Sequence, residues 1–190
     1  MRWLCAIPLL ALGPSAFGQA KPDPKRIAVI WTAAENRMVR QSDFWFESGE
    51  FLRSINLLRV IYYLNPTDYE IATDLGWMYE NVDRYPEALK IYQEFRKNNP
   101  KNPDAPYPEA NYYFVKKQYD KVYPLLLPSL ANKPHPNSFR ICAHSLDRSG
   151  KLKESKAVWE ALLKLSPEDR MAEANLRKVE NKINKGGNLK

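Results

Sequence analysis

Residues 69–102 read YEIATDLGWMYENVDRYPEALKIYQEFRKNNPKN. In this stretch Leu75-Gly76 is followed by Tyr79, and then come Asp83, Tyr85, Ala88, Tyr92 and Pro100. Moving outward, Pro66, Pro100, Pro134 and Pro167 are separated by 34, 34 and 33 residues. The same offsets relate Trp45, Tyr79, Tyr113 and Leu146, and again Leu58, Tyr92, Leu126 and Trp159. They also relate the small residues Ser42, Gly76, Ala110 and Ala143, and the residues Phe51, Tyr85, Tyr119 and Leu152. Gly49, Asp83, Lys117 and Gly150 fall where a turn between two helices is expected. A fixed period of this length marks units that cannot bury an apolar face alone and build a core by stacking.

The second copy resembles the tetratricopeptide repeat (TPR) family through Leu75-Gly76, Tyr79, Ala88, Tyr92 and Pro100, with Ala72 in place of the family's early Trp. The resemblance implies an all-α, right-handed solenoid of about four helix pairs, with repeats at 35–68, 69–102, 103–135 and 136–169. The small residue lets the two helices approach, and the aromatic fills the space between them. The third copy departs furthest, with Glu109 and Ser129 at usually apolar positions and Pro124 and Pro128 inside its second helix. Each proline removes a donor and crowds the preceding turn, so that helix is expected to be kinked or broken. Asp23-Pro24 starts a first helix running to about Ser48, and a polar capping helix is expected at about 167–185.

The chain's first residues read as a signal peptide, residues 1–20: Met1-Arg2, an uncharged apolar run from Trp3 to Gly13, and small residues before a cut after Gly18 or Ala20. The run is too short to span a bilayer, which needs roughly 20 apolar residues. Cys5 precedes the end of that run and is not placed like a lipoprotein cysteine. The mature chain, 21–190, then has Cys142 alone and no intramolecular disulfide. An exported, periplasmic or extracellular protein is the expectation.

Two His and two Cys in 190 residues leave little for a metal site, and no cofactor is expected. Cys142 and His144 lie two apart on a helix and so point roughly 200° away from each other, which prevents proton sharing. No Gly-rich phosphate loop or Gly-flanked nucleophilic Ser is present, and no enzyme is expected. The net charge is +7, yet the basic residues are spread among acids and the aromatics fall in the repeat registers, so no nucleic-acid partner is expected.

By the family's register, a concave groove is lined by Val39, Asp43, Phe46 and Glu47 from the first copy, and by Glu70, Thr73, Trp77, Glu80 and Asn81 from the second. The third gives Tyr107, Asn111, Phe114 and Val115, the fourth Arg140, His144, Asp147 and Arg148. Val39 and Asp43 stand where chaperone-binding members of the family have their carboxylate-holding Lys and Asn, so that clamp is missing. Trp77, Tyr107 and Phe114 are expected to face outward between an acidic and a basic end. The expected function is a non-catalytic protein-interaction or scaffold module holding a protein or peptide partner in this groove. The alternative is a carbohydrate or cell-wall accessory whose aromatics stack on sugars, with weak association to anionic envelope polymers or a membrane surface as a secondary expectation.

Overall fold

A computed structural model describes residues 23–187. The expected signal peptide lies outside the described residues. Contacts divide the chain into one unit up to Arg37 and another from Met38 onward. The first, described over 23–37, is helical and leaves Ile27, Val29, Ile30 and Trp31 exposed. It belongs to α1 (Pro24–Glu47).

The second unit continues with the end of α1 and then α2 (Phe51–Leu64), α3 (Tyr69–Asn81), α4 (Tyr85–Asn98), α5 (Tyr107–Val115), α6 (Tyr119–Leu130), α7 (Pro136–Arg148), α8 (Leu152–Leu165) and α9 (Arg170–Gly187). Each helix from α2 to α8 packs on the next, and α5 also reaches α7. That local pattern is a solenoid of TPR-like helix pairs closed by a last helix, with no strand among the described residues.

The turn register explains why the chain pairs its helices. Gly49, Asp83, Lys117 and Gly150 all have positive φ, at 76°, 58°, 59° and 75°. One residue later the amides of Glu50, Arg84, Gln118 and Lys151 donate to the carbonyls of Trp45, Tyr79, Tyr113 and Leu146, at 2.7, 2.8, 2.9 and 2.9 Å. Each first helix therefore ends in the same Schellman motif, which satisfies the last carbonyls and reverses the chain. Asp83 and Lys117 occupy a left-handed conformation that glycine adopts freely, at a cost of roughly 1 kcal/mol each. Lys117→Gly is accordingly expected to raise the unfolding free energy by about 1 kcal/mol, read from the midpoint of urea unfolding.

In the first and fourth pairs the small residue meets a partner twelve positions later. Ser42 and Ser54 share a buried hydrogen bond of 2.7 Å, and the Ser155 hydroxyl donates to the Ala143 carbonyl at 2.8 Å. At Gly76 an added Cβ would overlap the ring of Tyr92, so only glycine admits that ring. Leu58, Tyr92, Leu126 and Trp159 are all buried beside these contacts.

The core is in two parts. Ile55, Leu58, Ile61, Leu75 and Tyr92 belong to an N-terminal cluster, and Val122, Phe139, Leu146 and Trp159 to a C-terminal one. Between them lies a small cluster of Ala72, Phe95 and Ala105. Here the polar Glu109 finds its reason: it is 3% exposed, and its carboxylate accepts from Arg96 Nε at 2.6 Å and Gln93 Nε2 at 3.3 Å. Ser129, also buried, donates to its own helix at the Leu126 carbonyl.

Of the kinked or broken helix expected from Pro124 and Pro128, the break does not occur, because α6 runs through both. The prolines lie four apart on the exposed side of α6, in line with Asp120. The two carbonyls that lose their donors, those of Asp120 and Pro124, can then be hydrated.

Candidate functional site

The first helix of each pair carries the candidate residues, and the structure sorts them by what they already bind. On α1, Val39 is half-buried against the N-terminal core, whereas Asp43, Phe46 and Glu47 are exposed. On α3, Glu70 and Asn81 are exposed, although the Asn81 amide donates to its own helix at the Trp77 carbonyl. The Thr73 hydroxyl is likewise spent on the Tyr69 and Glu70 carbonyls. Glu80 accepts the Tyr92 hydroxyl at 2.8 Å, so it serves the pair's interior.

Phe46 and Trp77 form the clearest uncovered contact. Their ring centroids are 5.4 Å apart, and they remain 38% and 49% exposed. Phe51 packs on the other side of Phe46 at 5.7 Å. Carboxylates lie along the same two helices: the Asp74 carboxyl is held above the ordinary aspartate range by partial desolvation and then by Glu70 and Asp43. Asp74 is absent from the residues obtained by register, and its only sequence signal is its position one turn beyond Glu70.

The outward orientation expected of Tyr107 is not what the fold provides. Its ring is half-buried against the C-terminal core, and burial holds its phenol above the usual range. Asn111 is half-buried and Val115 exposed. Phe114 is half-buried, with Tyr119 at 5.7 Å and the Arg148 guanidinium 4.9 Å from its ring.

The expected basic end also changes character. Arg140 donates to Asp169 Oδ2 at 2.6 Å and to Asn137 Oδ1 at 2.7 Å. Asp169 also accepts from the Ala172 amide, and this amide bond and then the guanidinium hold its carboxyl below the ordinary range. Arg140 thus anchors α9 and is not a free groove cation. Asp147 takes the Lys182 ammonium on both oxygens, at 2.7 and 2.6 Å. His144 stands edge-on to Trp159 at 5.0 Å, and burial followed by Arg148 lowers its pKa, which favours the neutral ring. Arg148 remains exposed.

Burial pushes the Cys142 thiol up to about 12, so it is a packed core residue with little thiolate at neutral pH. Among the described residues no group of three or more His, Cys, Asp or Glu is placed to hold a metal ion. Nor is any described helix long and apolar enough to cross a membrane.

One cleft was not anticipated by register. It has a volume of about 940 Å³, lies between α2 and α4 over Leu75 and Tyr79, and is flanked by Val60, Tyr63 and Leu64. None of the candidate residues lines it.

Comparison with solved structures agrees with the solenoid. A structure of MamA from residue 41 onward, from Desulfovibrio magneticus RS-1, matches with a TM-score of 0.61 and 17% identity, covering 79% of this chain and 85% of that one. A MamA structure labelled AMB-1 gives 0.59 and 17%, over 80% and 84% of the two chains. A further MamA crystal structure gives 0.61 and 15%, over 77% and 81%. At such identities the likeness is one of fold. No protein-family model matches the chain, and no curated protein matches it in sequence.

Proposed function

We propose that this chain is a non-catalytic protein-interaction or scaffold module, exported to the periplasm or the extracellular space. It holds a segment of a protein partner against the face formed by the first helices of its pairs. The observation that carries this reading is the Phe46–Trp77 contact, two large rings left exposed beside Asp43, Glu47 and Glu70. Burying such rings against a partner removes apolar area from water, and aromatic anchors of this kind dominate binding energies. The export reading rests on residues 1–20 of the sequence. The likeness to MamA supports a helical-repeat framework for such a face.

With a partner isolated from envelope extract, Phe46→Ala plus Trp77→Ala is expected to speed dissociation by at least about tenfold, measured by surface plasmon resonance. Unchanged kinetics in a double variant with an unchanged melting temperature would place the site elsewhere. Sedimentation with purified cell-wall polymer separates the alternative. Pelleting that depends on Phe46 and Trp77 would favour a carbohydrate ligand.

A further inference from the structure

The edge where first helices turn into second helices carries an uneven charge. Residues 48–53 and 82–87 hold two cations, Arg53 and Arg84, against three carboxylates. Residues 116–121 and 149–154 hold Lys116, Lys117, Lys121, Lys151 and Lys153 against Asp120 and Glu154, and Arg148 stands one residue before the last of these stretches. The turns are neighbours across repeats: Arg148 Nη1 donates to the Tyr119 hydroxyl at 2.8 Å, and the Lys116 ammonium stands 3.4 Å from the centroid of Tyr85.

These cations are positioned by rings. Lys121 lies over Tyr113 at 4.9 Å, and Arg148 lies between Phe114 and Tyr119 at 4.9 and 5.1 Å. Lys116, Lys121 and Arg148 are nevertheless exposed, and none has a carboxylate partner among the described residues. A cation held over a ring keeps its outward N–H donors for an anion and presents an apolar surface beside them.

We infer that the turn edge of the third and fourth helix pairs, centred on Lys116, Lys121 and Arg148, is a docking site for an acidic protein segment that alternates carboxylates with apolar side chains. Charge complementarity selects the acid, and the half-buried rings of Tyr113, Phe114 and Tyr119 select the apolar neighbour. A uniformly charged polymer would leave those rings unused. The inference rests on the proposed reading in taking the ligand to be protein, but it names a different surface from Phe46 and Trp77.

The test uses the mature chain and a short fluorescein-labelled peptide of alternating Asp and Leu, followed by anisotropy at low and high salt. Lys116→Gln with Lys121→Gln and Arg148→Gln is expected to weaken binding about tenfold at low salt and less at high salt. Removing the same charge elsewhere, by Lys97→Gln with Lys164→Gln and Arg170→Gln, is expected to change it less than about twofold. Equal losses in the two triple variants would show general charge attraction and overturn the site. Hyaluronate bound through the edge cations, with the peptide unbound, would overturn the protein ligand in favour of an anionic polymer. Because the Phe46 and Trp77 variants are read against the isolated partner, a failure at the edge leaves that reading standing, and the reverse holds.

Discussion

Tyr92→Ala is expected to lower the unfolding free energy by about 3 to 5 kcal/mol, the range for deleting a large buried aromatic. The ring is 4% exposed, lies on the glycine face of α3 and sends its hydroxyl to Glu80 at 2.8 Å. Desolvation, with Glu80 second, holds the phenol above its ordinary range, so the hydroxyl is the donor at neutral pH. The alanine variant loses the packed ring and leaves Glu80 without that donor. Tyr92→Phe keeps the ring and is expected to cost only about 0.5 to 1.5 kcal/mol. Gly76→Ala attacks the same contact from the other side. The new methyl meets the Tyr92 ring, so a loss of about 1 to 3 kcal/mol is expected despite alanine's better helix propensity. Thermal melts check all three. A Tyr92→Ala melt within a degree or two of the wild type would contradict the packing described for α3 and α4.

Arg96→Met should have the next largest effect, a loss of about 2 to 4 kcal/mol. That figure sits below the range for a fully buried pair because the Arg96 side chain is 39% exposed, while Glu109 is 4%. The variant leaves a buried carboxylate with Gln93 as its remaining neighbour. The pair joins α4 to α5, where the small cluster of Ala72, Phe95 and Ala105 and the Tyr92–Tyr112–Tyr113 ring contacts link the two larger core clusters. In a repeat protein, stability is a sum of unit and interface contributions, so weakening this interface should uncouple the halves and split one calorimetric transition into two. Arg96→Met with Glu109→Leu removes both charges and is expected to recover most of the loss. A double variant no more stable than Arg96→Met alone would show that the ion pair is not what the interface depends on.

The positions that could be read from the sequence are those whose role depends on fixed distance along the chain. Gly76 and Tyr92, sixteen residues apart, form one contact because a helix, a Schellman turn and a second helix always separate them by the same path. Lys117 could be placed in a turn by register alone, without a glycine to mark it. What register could not supply is the identity of partners reached across repeats. Glu109 looked out of place until Arg96 on the preceding helix met it, and Arg140 looked free until Asp169 accepted it. Tyr107 shows the same gap, since its half-burial depends on how the C-terminal cluster closes around it. Pro124 and Pro128 do not break α6, because both lie on its exposed side, where the carbonyls that lose a donor can be hydrated. The cationic turn edge was not legible, because its Lys and Arg residues are spread among acids along the chain and the rings that position them come from neighbouring repeats.

Hydrogen exchange of the protein, with and without its isolated partner, tests the binding account most directly. Added protection of backbone amides is expected in peptides covering α3 (Tyr69–Asn81) and residues 38–47, where Phe46 and Trp77 stand exposed. Protection confined to α2, α4 and the cleft between them, with α3 and residues 38–47 unchanged, would contradict it.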